Sequence, residues 1–190
     1  MNKLFLIKVI SPAILCCIII LFTKISIEYY PLLLGLLISV FNYGSQNKYN
    51  LIVIVLLSLI MSYITFYISY FSFPLIGNIL KTFLSSDKSA LIALHVSVSI
   101  ISPLLVFYGF NLIYKFSKTK KTNYIVLISI SCLIINSLTF HYFLNNNLLK
   151  IFKKIQLDNY TIWLLIMVFA IQLIIHQEKI WNKNGLNKTQ

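Results

Sequence analysis

The chain has 190 residues, 59% hydrophobic and 11% charged, with a net charge of +12 and a mean hydropathy of +0.87. A soluble domain is about 45–50% apolar and roughly 25% charged, so no water-soluble fold of this length could hide the apolar surface, and the solvent it implies is lipid. All 16 basic residues are lysine. Without the planar fork of arginine, nucleic-acid and phosphate recognition are disfavoured, and the basic excess reads as a topology signal and as attraction to anionic lipid. The abundance of Lys, Asn, Ile, Phe and Tyr, which have AT-rich codons, points to a bacterial source.

The expected fold is all-α: a polytopic bundle of transmembrane helices in a single membrane domain. A crossing helix needs about 20 apolar residues. Residues 4–24 qualify first. Lys3 and Lys8 precede the apolar run as in a signal peptide, but no small-residue cleavage site follows, so a retained helix is expected. Cys16 and Cys17 within it, and Cys132 further on, read as small apolar filler. Their spacing suits no metal, and neither a metal nor a cofactor is expected.

Residues 30–43, "YPLLLGLLISVFNY", are short for a span, and Pro31 suits a first helical turn. If they cross, the chain has six spans; otherwise it has five. With six spans and the N-terminus inside, ten lysines fall inside and six outside. With five the split is nine against seven. The positive-inside rule favours six, with both termini cytoplasmic and the protein in the cell (inner) membrane.

The third span, 51–73, carries Ser58, Ser62, Thr65, Ser69 and Ser72 at steps of four, three, four and three. That spacing forms one row along the helix, with Tyr63, Tyr67 and Tyr70 opposite. Small hydroxyl residues in a row let another helix approach closely and bond across the contact. Pro74 is expected to stop this helix. Residues 75–84 then form an amphipathic interfacial connector, as residues 148–157 do later.

The fourth span, 89–114, places His95, Ser99, Ser102 and Gly109 in one row and Ala90, Ala93 and Ser97 on another side, so it is expected to be central. Residues 115–121, "KFSKTKK", form a cytoplasmic basic loop in which Lys115, Lys118, Lys120 and Lys121 meet anionic lipid. The fifth span, 124–144, repeats the row with Ser129, Cys132, Asn136 and Thr139. The sixth is 160–177, followed by the tail 178–190. Shifted by 74 positions, "SLIMSYITF" (58–66) lies over "CLIINSLTF" (132–140), which suggests two parallel helix–connector–helix repeats.

Coupled transporters and pumps place charges inside their spans. Here Glu28, Asp87, Asp158 and Glu178 lie at span ends or in loops. His95 is the one titratable group well inside a span. Together with His141 and Asp87 it forms the weak catalytic constellation of the outer half. No nucleophile motif, phosphate loop or glycine-rich fingerprint accompanies it, which argues against an enzyme. The leading expectation is a binding or accessory protein that acts through helix packing on another membrane protein, of the assembly-factor or immunity type. The alternatives are a permease for a small neutral or lipid-like solute, which needs a cavity along the hydroxyl rows, and an outer-face enzyme, which needs His95 to meet an acid.

Overall fold

The computed structural model describes residues 6–44, 49–143 and 158–181. Every regular element among the described residues is helical, and four helices are long and apolar enough to cross a membrane. We number the rods α1 (Ile7–Thr23), α2 (Ile27–Phe41), α3 (Leu51–Leu80), α4 (Ser86–Tyr114), α5 (Lys120–His141) and α6 (Asn159–Trp181). The expected segment 148–157 lies outside the described residues.

Local chemistry sets the helix ends. Pro12 stands in the first turn of the α-helical part of α1, and Lys24 closes it in a left-handed conformation with φ 50°. There its N–H donates to the Ile20 carbonyl at 3.1 Å, a common way to satisfy a helix end. Asn50 caps α3 by accepting from the Val53 N–H, and Thr119 caps α5 by accepting from that of Thr122. Asp158 does the same for α6, accepting from the Thr161 N–H at 2.7 Å.

The rods alternate in direction. Lys8 Nζ donates to the Phe41 carbonyl at 2.9 Å, joining the start of α1 to the end of α2. The Tyr114 hydroxyl reaches the Ile38 carbonyl at 3.4 Å, and Gln177 Nε2 donates to Ser117 Oγ at 2.7 Å. The start of α1, the α4–α5 connection and the end of α6 therefore share one end of the bundle. At the opposite end the Tyr30 and Thr161 hydroxyls meet at 2.8 Å, and Asn136 of α5 donates to Asn159 at the start of α6.

Helix α2 is short because its environment is protein. Tyr30, Leu33, Leu34, Leu37 and Ile38 are all buried, so its length need not match a hydrocarbon thickness of about 30 Å. Around it the core comes from α4 (Val106, Phe110, Tyr114) and α6 (Leu164, Met167, Ile171).

Helix α3 does not stop at Pro74; it runs on to Leu80. Proline removes one N–H and crowds the preceding turn, but a helix in an apolar medium gains nothing by exposing further backbone groups, so it continues. Residues 75–80 are thus the last turns of α3, and its buried Gly77 faces Ala93 of α4.

Helix α4 departs from a regular row. Residues Ser97–Ile101 form a π-turn, in which the Ser102 N–H bonds to the Ser97 carbonyl five residues back. Pro103 follows and has no N–H to offer the Ser99 carbonyl, which accounts for the widening. The extra residue rotates everything beyond it by about 100°. His95 and Ser99 consequently face α5, while Gly109 faces Met61 and Thr65 of α3.

Candidate functional site

A cavity of about 770 Å³ lies between α2, α3, α4 and α6. Its floor is formed by Leu34, Ser62 and Val106. From Ser62 to Phe73 it extends eleven residues along α3, about 16 Å of helix rise. It opens past Glu28 and the exposed rings of Tyr67, Tyr70 and Phe73. That mouth is at the end of the bundle opposite Lys8 and Gln177. Below the floor, Leu37, Ile38, Phe110 and Tyr114 are packed and buried, so the cavity is blind.

The wall is mostly apolar and aromatic, with hydroxyls at defined places. Thr65 Oγ1 donates to the Ser62 carbonyl at 2.9 Å, and Ser69 Oγ donates to the Thr65 carbonyl at 2.7 Å. Their protons are thereby spent on their own helix, and each presents only lone pairs to the space. Ser62 and Ser97 differ. Both line the cavity at 2% and 1% exposure, and neither hydroxyl has a hydrogen-bond partner within the described protein. The π-turn positions this wall. It leaves the Val98 carbonyl free to accept from Trp163 Nε1 at 2.9 Å, which fixes the Trp163 ring at the cavity's edge.

The hydroxyl row of α3 therefore has two environments. Ser58, fully buried, lies at the contact with Gly35 of α2. Ser62, Thr65 and Ser69 line the cavity. Ser72, beyond its lining, is half-buried and donates to the Ser69 carbonyl. On α4, Ser99 donates to the Leu133 carbonyl at 3.3 Å and Ser102 lines the cavity. On α5 the buried polar positions are Thr122, Ser129 and Ser137, whereas Cys132 is exposed and Thr139 half-buried.

His95 faces away from the cavity. Its Nδ1 lies 2.5 Å from Ser137 Oγ of α5, and its ring meets that of His141 edge to face with centroids 5.8 Å apart. The bundle thus brings the two histidines together. Asp87 is exposed in the first turn of α4, eight residues and about 12 Å of rise from His95. Among the described residues, no group of three His, Cys, Asp or Glu side chains could hold a metal.

Sequence reasoning passed over three features: Ser97 as a cavity residue, Ser137 as the partner of His95, and Gln172. Gln172 is fully buried in α6, and neither its Oε1 nor its Nε2 has a partner within the described protein. Its signal was present, as an amide in the middle of the apolar run 160–177. Ser97 and Ser137 fell outside the row of interest on their helices, and only the π-turn and the α4–α5 packing reveal them. No family model, curated protein or solved structure matches this chain.

Proposed function

We propose that this chain is a multi-pass integral membrane protein that takes a small, largely apolar, lipid-like solute into the cavity, as a permease or carrier does. The observation that carries the reading is the cavity of about 770 Å³, whose mostly apolar and aromatic wall includes the hydroxyl residues Ser62, Thr65, Ser69, Ser97 and Ser102. Volume and lining both suit a small-molecule site, apolar with few polar groups.

The same reading favours six spans, with the short α2 crossing inside the protein rather than against lipid. It places both termini and the α4–α5 connection, with Lys115 and Lys118 in it and Lys120 and Lys121 in the first turn of α5, in the cytoplasm of a bacterial cell and opens the cavity outward. The two-repeat arrangement does not form part of it. Ser58 is fully buried, whereas its counterpart under the 74-residue shift, Cys132, is exposed.

An accessory role through helix faces has less support, because the closest small-residue contacts are used within the bundle, Gly35 on Ser58 and Gly109 on Met61. The enzyme reading has a histidine pair with a hydroxyl, but Asp87 stands too far along the helix to act with it.

The test is thermal unfolding of the purified full chain with a series of straight-chain alkanols. A rise in the midpoint that grows with the logarithm of alkanol concentration and has an optimum chain length is expected, about 2.7 kcal/mol when the alkanol is at a hundred times its Kd. Ser97→Phe and Val106→Phe fill the space and should each abolish the rise. No rise at any chain length, or one that Ser97→Phe and Val106→Phe leave intact, would remove the proposal.

A further inference from the structure

Electrostatics at the mouth go beyond the neutral solute just proposed, and the inference rests on that cavity being a binding site. The chain carries four acidic residues and a net charge of +12. One of the four stands at this mouth and a second close behind it. Glu28 lines it directly, on the 3-10 turn Ile27–Tyr29. Asp158 is not a lining residue but stands just behind the wall: it accepts from the Thr161 N–H at 2.7 Å, and the Thr161 hydroxyl meets that of Tyr30, a lining residue, at 2.8 Å. Among the described residues no lysine contributes to the lining; Lys24, the nearest in sequence to Glu28, is exposed and outside it.

The rim between these carboxylates is aromatic, with Tyr67, Tyr70, Tyr160 and Trp163. Aromatic faces attract cations, at about 0.5–1 kcal/mol for exposed sites and about 2 when desolvated. Carboxylates next to aromatic rings suit an ammonium group. Deeper in, the apolar wall suits a hydrocarbon. The field of the whole protein favours anions, so a cation-seeking mouth is a local construction.

We propose that the cavity selects cationic amphiphiles: molecules with an ammonium head held between Glu28, Asp158 and the rim aromatics, and an apolar body reaching toward Ser62 and Ser97.

Trp163 supplies the readout. The chain has two tryptophans, and Trp181→Phe leaves Trp163 as the sole emitter. The full chain carrying that change is placed in phosphatidylcholine vesicles, which have no net charge. Three quenchers of equal chain length are titrated: an ω-bromoalkyl trimethylammonium, an ω-bromoalkanol and an ω-bromoalkanoate. Saturable quenching is expected with the ammonium binding about tenfold more tightly than the alkanol, and the alkanoate weakest. Combining Glu28→Gln with Asp158→Asn, which keeps a capping oxygen for α6, should bring the ammonium within about threefold of the alkanol measured on the same variant. Equal affinities in the parent, a preference for the alkanoate, or a cation preference that survives both substitutions would overturn the inference while leaving the neutral-solute reading intact. Absence of saturable quenching by all three would overturn both.

Discussion

Gly35 of α2 lies flat against the Ser58–Leu59 backbone of α3. A Cβ on Gly35 would stand 3.0 Å from the Ser58 carbonyl oxygen and 3.1 Å from the Leu59 Cα. Both are backbone atoms, so a side chain there must push the helices apart. Gly77 contrasts with it: a Cβ there would meet only Ala93 Cβ, at 3.7 Å, an ordinary contact. Alanine is about 1 kcal/mol better than glycine in a helix. Gly77→Ala should therefore hold or raise the unfolding midpoint in detergent, whereas Gly35→Val should lower it by about 1–3 kcal/mol. Equal effects would mean that α2 and α3 do not pack this closely.

The two environments of the hydroxyl row separate stability from binding. Leucine at Ser58 has no space and should cost about 1–3 kcal/mol. Leucine at Thr65 can extend into the cavity, so its unfolding midpoint without ligand should stay near that of the parent. It should instead weaken the alkanol-induced rise. Thermal melts of both variants, with and without alkanol, check this; a Thr65→Leu protein as unstable as Ser58→Leu would count against an open cavity beside α3.

Gln172 carries a stability cost that function or folding must explain. Replacing a buried amide that lacks partners by an apolar side chain of similar volume removes its desolvation penalty of about 1–3 kcal/mol. Gln172→Met is expected to raise the unfolding midpoint. A lower midpoint would show that the amide is bonded in the membrane, to water or lipid.

His95 and Ser137 couple α4 to α5 through their 2.5 Å contact. Interhelical hydrogen bonds in membrane proteins average about 0.6 kcal/mol, with a maximum of about 1.7. A double-mutant cycle with His95→Ala and Ser137→Ala should return a coupling in that range. His95→Gln should retain most of the stability and leave ligand binding unchanged, because His95 is outside the cavity. Loss of binding in His95→Gln at normal protein levels would show that the histidine pair acts on the solute.

The start of α1 and the end of α6 share one end of the bundle, through Lys8 on Phe41 and Gln177 on Ser117. Reporters that are active only in the cytoplasm, fused before Met1 or after Gln190, should therefore both be active. One active and one silent reporter would contradict an even number of crossings.

Composition and periodicity alone pointed to helices long and apolar enough to cross a membrane, because about 20 consecutive apolar residues have few stable solutions besides a helix in lipid, and the structure has four such helices among its described residues. They also set most helix ends within about four residues, though the end of α3 seven residues early, at 73 instead of Leu80, and singled out Ser58, Ser62 and Thr65. Three features depended on the tertiary structure. Pro74 does not end α3, because in an apolar medium the helix is the cheapest place for the backbone. The regular 100° row on α4 breaks at Ser97–Ile101, where a π-turn turns His95 toward Ser137 and leaves Gly109 against α3. The one hydroxyl row divides into a packed part at Gly35 and an open part at the cavity. A sequence period states which side chains share a face of their own helix. Whether that face meets a backbone, a void or lipid depends on where the other helices lie, and with no hydrophobic drive between helices in lipid that placement comes from close fit and a few polar contacts.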